Sequence, residues 1–180
     1  VRPQHSGSPL DNRVSCAVQI EVMRRLKASG TPHTVYFVFT VQEEVGSRGT
    51  QPAAYGLDPH FGIALDVTPT GDTPKNPLTA VELGKGTAIK MKDVGLIVPA
   101  AVRELMIQRA EEAGILYQLE VLDLGSQDGR MIQIARSGVP TGAVAVPVRY
   151  VHTRSETADR RDIVATVDLV TAILSQPIEL

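Results

Sequence analysis

The chain has 180 residues, 18 of them basic and 20 acidic, for a formal charge of −2. That length suits one globular domain, and that balance gives no electrostatic reason to expect nucleic acid or an anionic membrane as a partner. With 43% hydrophobic and 21% charged residues, the composition is that of a folding sequence. The single cysteine, Cys16, excludes an internal disulfide and fits a reducing compartment, so a cytoplasmic location is expected. No apolar stretch approaches the roughly 20 residues of a membrane-spanning helix. No charged-then-apolar leader opens the sequence, and its first residue is Val1 rather than methionine, which points to a processed or truncated chain.

Residues 1–9 are polar and proline-bearing and are expected to form an irregular arm. From residue 12 to 29, Val14, Ala17, Val18, Val22, Met23 and Leu26 recur at three-and-four spacing, the stripe of an amphipathic helix. Gly30-Thr31-Pro32 should end it. Residues 34–41 are dense in β-branched and aromatic side chains on both parities, which predicts a strand buried on both faces. A short helix is expected near residues 50–55, a buried strand at 61–67 and a turn-rich loop at 68–77. Residues 99–113 should form a helix with Pro99 in its first turn and Gly114 just past its end. A strand at 117–122, a helix at 127–136, a strand at 142–146 and a long helix at 161–174 complete the pattern. The last carries apolar Ile163, Val164, Val167, Val170 and Ile173. Strands alternating with helices predict an α/β layer fold with helices on both faces.

In open α/β sheets, sites form at the carboxyl ends of strands. There the sequence places Gln42-Glu43-Glu44, Asp66 and His152, with Asp11 immediately before the first helix. Together they make the oxygen and nitrogen donor set of a divalent transition-metal site. Each also has an ordinary reading. Asp11 suits a helix N-cap, and Glu43-Glu44 suits a solvated pair after a strand. Asp66 stands apart, because a carboxylate within Ile63-Ala64-Leu65-Asp66-Val67 is costly to bury without a cation or donors.

As ordered strings the same segments say more. Leu10-Asp11-Asn12-Arg13, Gln42-Glu43-Glu44-Val45-Gly46-Ser47-Arg48-Gly49, Ala64-Leu65-Asp66-Val67, Leu83-Gly84-Lys85-Gly86, Gly138-Val139-Pro140-Thr141 and Arg149-Tyr150-Val151-His152 resemble the signature blocks of one family, in family order. It is the family of di-metal glutamyl aminopeptidases, some misleadingly called endoglucanases, that includes the tetrahedral aminopeptidases. The resemblance implies an α/β/α sandwich of the zinc-exopeptidase kind, with a mixed, largely parallel central sheet that is incomplete at its N-terminus.

The resemblance also implies roles. Asp11 would bridge two metals, with the peptide bond to Asn12 a candidate for cis. Glu44 and His152 would bind one metal and Asp66 the other, with zinc or cobalt the expected ions. Glu43 would be the general base that takes a proton from the attacking water and returns it to the leaving amine. Substrates would be peptides, trimmed one N-terminal residue at a time, within a homo-oligomer.

Two departures matter. The family's catalytic domain begins with a segment whose His-x-Asp motif completes the second metal's shell, followed by an inserted small β-domain, and neither precedes Asp11 here. His5 is the sole upstream histidine. The whole chain, residues 1–180, is thus expected to be a partial catalytic domain that binds one metal well and has little activity alone. Gly125-Ser126-Gln127-Asp128 departs from the family's Gly-Gly-Thr-Asp and leaves Asp128 as a candidate support behind the ligands. Two other readings compete: a non-catalytic structural subunit, and a glycoside hydrolase. The latter wants carboxylates about 5–9.5 Å apart on opposite sides of a sugar bond, which neighbours such as Glu43 and Glu44 serve poorly.

Overall fold

A computed structural model describes residues 4–7, 9–74 and 79–180, the side chains of 5–7 excepted. In chain order the elements are β1 (Gln4–Gly7), α1 (Arg13–Ser29), α2 (Thr50–Leu57), β2 (Gly62–Pro69), β3 (Thr87–Lys92), α3 (Ala100–Glu112), β4 (Tyr117–Val121), α4 (Gly129–Gln133), β5 (Thr141–Arg149), β6 (Glu156–Asp159) and α5 (Arg160–Leu174). Among the described residues no helix is long and apolar enough to cross a membrane.

The strands form one mixed sheet in the order β1-β6-β5-β3-β4, with β2 also paired to β5 along Thr141–Val148. The long ladders, β2 on β5 and β3 on β4, are parallel; β3 on β5, β5 on β6 and β1 on β6 are antiparallel. β5 is the spine. Its first eight residues are buried, because it is hydrogen-bonded on both edges and covered on both faces.

Strand alternation sorts the two faces. Val144, Val146 and Val148 of β5, with their neighbours Leu65, Val67 and Ile89, meet α1, α3 and α5 in two adjoining apolar clusters. Val14, Val18, Val22 and Leu26 make the buried stripe of α1, as their spacing predicts. On the opposite face, a Cβ at Gly62 would stand 2.5 Å from Ile132, so only glycine lets α4 pack this closely on β2. Asp66, Thr68, Lys90 and Glu120 share this second face by register. Helices on both faces of a mixed sheet are the expected architecture.

Three local expectations fail. The arm expected to be irregular contains β1, which pairs with β6. The strands β3 and β6 were hidden because charged residues break their apolar runs: Lys90 and Lys92 in one, Glu156 and Asp159 in the other. The strand expected at residues 34–41 is extended but unpaired. Among the described residues none of 34–40 makes a main-chain hydrogen bond. Val35 and Phe37 turn inward and are half-buried, whereas Tyr36 and Val41 are 59% and 66% exposed. Side-chain type sets the extended backbone, but a strand also needs a neighbour to receive its N–H and C=O groups. The expected loop at 68–77 begins late, since β2 runs to Pro69, and residues 75–77 lie outside the described residues.

Candidate metal centre

Each candidate residue is carried by a turn or strand built for it. Asp11 ends the turn that leads into α1, and its peptide bond to Asn12 is cis. Asn12, not Asp11, is the N-cap residue, and it makes no side-chain cap bond. Its amide instead donates to the Leu65 carbonyl at 3.1 Å, tying the turn to β2. The N-cap alternative for Asp11 therefore falls.

Glu43 and Glu44 sit on a turn that closes on itself. The N–H groups of Gly46 and Ser47 both donate to the Glu43 carbonyl at 2.9 Å, and that of Gly49 to the Val41 carbonyl at 3.0 Å. A Cβ at Gly49 would lie 2.7 Å from that same Val41 oxygen, so glycine is required for the closure. His152 stands in the turn after β5 with φ 63°, two residues from Tyr150 at φ 61°. Such left-handed backbone is uncommon for these residue types and needs support from its surroundings.

These turns bring three of the predicted residues together. One ligand atom each from Asp11, Glu44 and His152 lie mutually within 4.8 Å. His152 Nε2 is 3.2 Å from Asp11 Oδ2 and 3.5 Å from Glu44 Oε2. Asp11 is largely buried, while the Glu44 and His152 side chains are 62% and 68% exposed. Asp66 lies outside this trio, on β2, with its Oδ1 accepting the Val67 N–H at 2.7 Å. Glu43 also lies outside the trio and accepts weakly from the Ser47 hydroxyl at 3.4 Å. The Thr40 hydroxyl donates to Asp128 Oδ2 at 2.6 Å. The side chain of His5 lies outside the described residues.

The electrostatics suit a cation. Burial pushes the Asp11 carboxyl up to about 6, helped by the Glu44 charge and opposed by His152. Burial also raises Asp66 well above the usual carboxylate range; the Val67 N–H pulls back, and the charges of Asp11 and Glu43 add to the rise. Glu43 is raised by burial and then by Asp128 and Glu44, against Ser47 and Arg130. Partly desolvated carboxylates that raise one another are what a divalent ion relieves, and a histidine among them favours a transition metal. The donor set fits such an ion.

Two supporting acids escaped the sequence reading. Glu156, 1% exposed, accepts the N–H groups of Leu10 and Asp11 on Oε2, at 2.5 and 3.0 Å, and that of His152 on Oε1 at 2.9 Å. Asp93, equally buried, accepts from the N–H groups of Gly95 and Leu96, the Ser126 hydroxyl and the Gln127 amide, holding the turn that precedes Asp128. Their signal was a lone acid beside a strand, which carries no chemistry until its donors are seen. A cavity of ≈ 740 Å³ opens next to the trio, with Asn12, Glu43, Asp66 and Asp128 in its wall and the unpaired segment along its side.

The family model for M42 glutamyl aminopeptidases matches residues 3–169. This chain belongs to that family. A putative aminopeptidase of Acetivibrio thermocellus is 47% identical over 161 residues, which is 89% of this chain and 48% of that protein. An aminopeptidase structure from the archaeon Desulfurococcus kamchatkensis superposes with a TM-score of 0.92 at 33% identity, over 97% of this chain and 50% of that one. The TET1 peptidase of Pyrococcus horikoshii, described as assembling into a tetrahedron or a large octahedral shell, gives 0.87 at 31% identity, over 97% and 51%. This M42 chain thus spans about half the length of the relatives it matches, and the mixed α/β sheet is common to them.

Proposed function

We propose that this M42 chain is part of the catalytic domain of a metal-dependent aminopeptidase that releases N-terminal residues from peptides. The observation that carries the reading is the convergence of Asp11, Glu44 and His152, ligand atoms within 4.8 Å, from three distant turns. In this reading Glu44, His152 and Asp11 hold one divalent ion, zinc or cobalt. Asp66, together with Asp11, would hold a second ion. Bound metal supplies Lewis-acid polarisation of the scissile carbonyl and a more acidic water.

The residues of the chain do the rest. Glu43, half-buried and lifted in pKa by burial and by Asp128, is poised to take a proton from the attacking water and hand it to the departing amine. Asp128, which accepts the Thr40 hydroxyl at 2.6 Å, supplies a negative charge that helps to lift Glu43. The ≈ 740 Å³ cavity beside them is large enough for the first residues of a peptide. Cytoplasmic peptides are the expected substrates, and assembly with further copies is supported by the shells formed by the Pyrococcus horikoshii relative.

The test is metal stoichiometry after equilibration with cobalt and removal of excess, followed by hydrolysis of aminoacyl chromogenic substrates. About one tight ion per chain and slow hydrolysis are expected, the first because three candidate ligands converge and the second because, among the described residues, no second group of three gathers around Asp66. No bound ion at all would leave ancestry without catalysis, as in a structural subunit. Unchanged hydrolysis in the presence of a chelator would remove the metal from the mechanism.

A further inference from the structure

Asp11 and His152 come from opposite ends of the chain, yet their side chains meet at 3.2 Å. Neither turn touches the other through a main-chain hydrogen bond among the described residues. What joins them is the carboxylate of Glu156, the first residue of β6. Oε2 takes the N–H groups of the Asp11 turn, at Leu10 and Asp11, and Oε1 takes the N–H of His152. The group is 1% exposed, and among the described residues no ion pair involves it. A buried carboxylate without a cation depends on its donors, and here every donor found belongs to a ligand-bearing turn.

We propose that Glu156 is a positioning residue for the metal centre, a carboxylate that fixes the separation of Asp11 and His152 by accepting main-chain N–H groups from both their turns. The proposal rests on the reading of those two residues as ligands. Its chemistry is specific to a carboxylate, which accepts at both ends. Glutamine has the same shape, but one end of its amide is a donor. Whichever way it turns, a donor faces either the Leu10 and Asp11 N–H groups or the His152 N–H, and one turn is released. Aspartate keeps the charge but is one methylene too short to span both.

The experiment is a cobalt titration followed by visible absorption, whose bands report coordination geometry, on the wild type, Glu156→Gln and Glu156→Asp. Asp162→Asn serves as a control, because Asp162 is an equally buried carboxylate that accepts the Gly84 and Gly86 N–H groups, at 2.7 and 2.8 Å, outside the ligand-bearing turns. Far-UV circular dichroism checks each fold. Expected is a loss of cobalt affinity of about 10–100-fold with altered bands in Glu156→Gln, a smaller loss in Glu156→Asp, and neither change in Asp162→Asn. Wild-type affinity and bands in a folded Glu156→Gln would overturn the proposal. So would an equal loss in Asp162→Asn, or failure of both Glu156 variants to fold, since Glu156 would then serve the fold alone. Absence of cobalt binding by the wild type is a separate result: it removes the metal-centre reading itself, and this proposal with it.

Discussion

The hydroxyl of Thr40 donates to Oδ2 of Asp128 at 2.6 Å, joining the unpaired segment that leads into Glu43 to the residue just before α4. Oδ1 of Asp128 is buried with no partner among the described residues, so Thr40 is the donor that the carboxylate can least spare. Thr40→Val removes that donor without changing shape. The expected cost is about 1–3 kcal/mol of stability, the range for stranding a buried polar group. Cobalt uptake at Asp11, Glu44 and His152 should be unchanged, because none of them is bonded to Thr40 or Asp128. Urea denaturation and cobalt titration of the variant check both halves, and lost cobalt binding would show the two regions to be mechanically linked.

Single replacements within the cleft should separate the proposed ligands from the proposed proton carrier. His152→Ala and Glu44→Gln each remove a member of the convergent trio. Their cobalt affinity should fall by at least the roughly 10–100-fold that loss of a supporting outer residue costs. Asp66→Asn should leave the first ion in place, since Asp66 lies outside the trio. Glu43→Gln should also bind cobalt normally while losing hydrolysis. Equal affinity losses in all four would mean that the variants report general unfolding, and the role assignments would fall together.

Asp72 and Arg149 set an acid limit on stability. The guanidinium of Arg149 donates from Nε to Oδ1 at 3.0 Å and from Nη2 to Oδ2 at 2.6 Å, and the Leu83 N–H adds a third bond at 3.1 Å. These contacts, the Arg149 bond foremost, hold the Asp72 carboxyl at about 2, below its ordinary 3.8. With the folded value depressed, the unfolded chain binds more protons than the folded one between these two values. The contribution is therefore complete above about pH 4 and lost as pH falls toward 2. Asp72→Asn should be less stable than the wild type at pH 6, and the two should converge near pH 2. Urea midpoints at several pH values test this, and a difference that persists undiminished at pH 2 would remove the ion pair as its cause.

The convergence of Asp11, Glu44 and His152 was legible because family strings marked those positions, not because spacing alone placed them. Helix α1 was legible from physics alone, since Val14, Val18, Val22 and Leu26 form a stripe that only one local structure can bury. Residues 34–41 misled for the opposite reason. Their side chains specify an extended backbone, while pairing depends on which neighbours the fold supplies, a non-local fact. Glu156 was invisible because its meaning lies in three main-chain donors brought from both ends of the chain. β3 was missed because Lys90 looks like an exposed residue until its partner on β4 is known.

That partner is Glu120. Lys90 Nζ lies 2.9 Å from Glu120 Oε2, both side chains are nearly inaccessible, and the Thr68 hydroxyl also donates to Glu120. The three residues form a buried polar row across β2, β3 and β4 on the face opposite α5. Lys90→Met leaves Glu120 buried with its charge uncompensated, which should destabilise the fold by about 3–5 kcal/mol. Replacing the whole row, with Lys90→Met, Glu120→Leu and Thr68→Val together, removes the uncompensated charge and its stranded donor. Much of the lost stability should return, because apolar groups of similar size often replace a buried ion pair at little cost. Urea midpoints of the single and triple variants measure the difference. A triple variant no more stable than Lys90→Met would show that packing at these positions, rather than the unpaired charge, governs the loss.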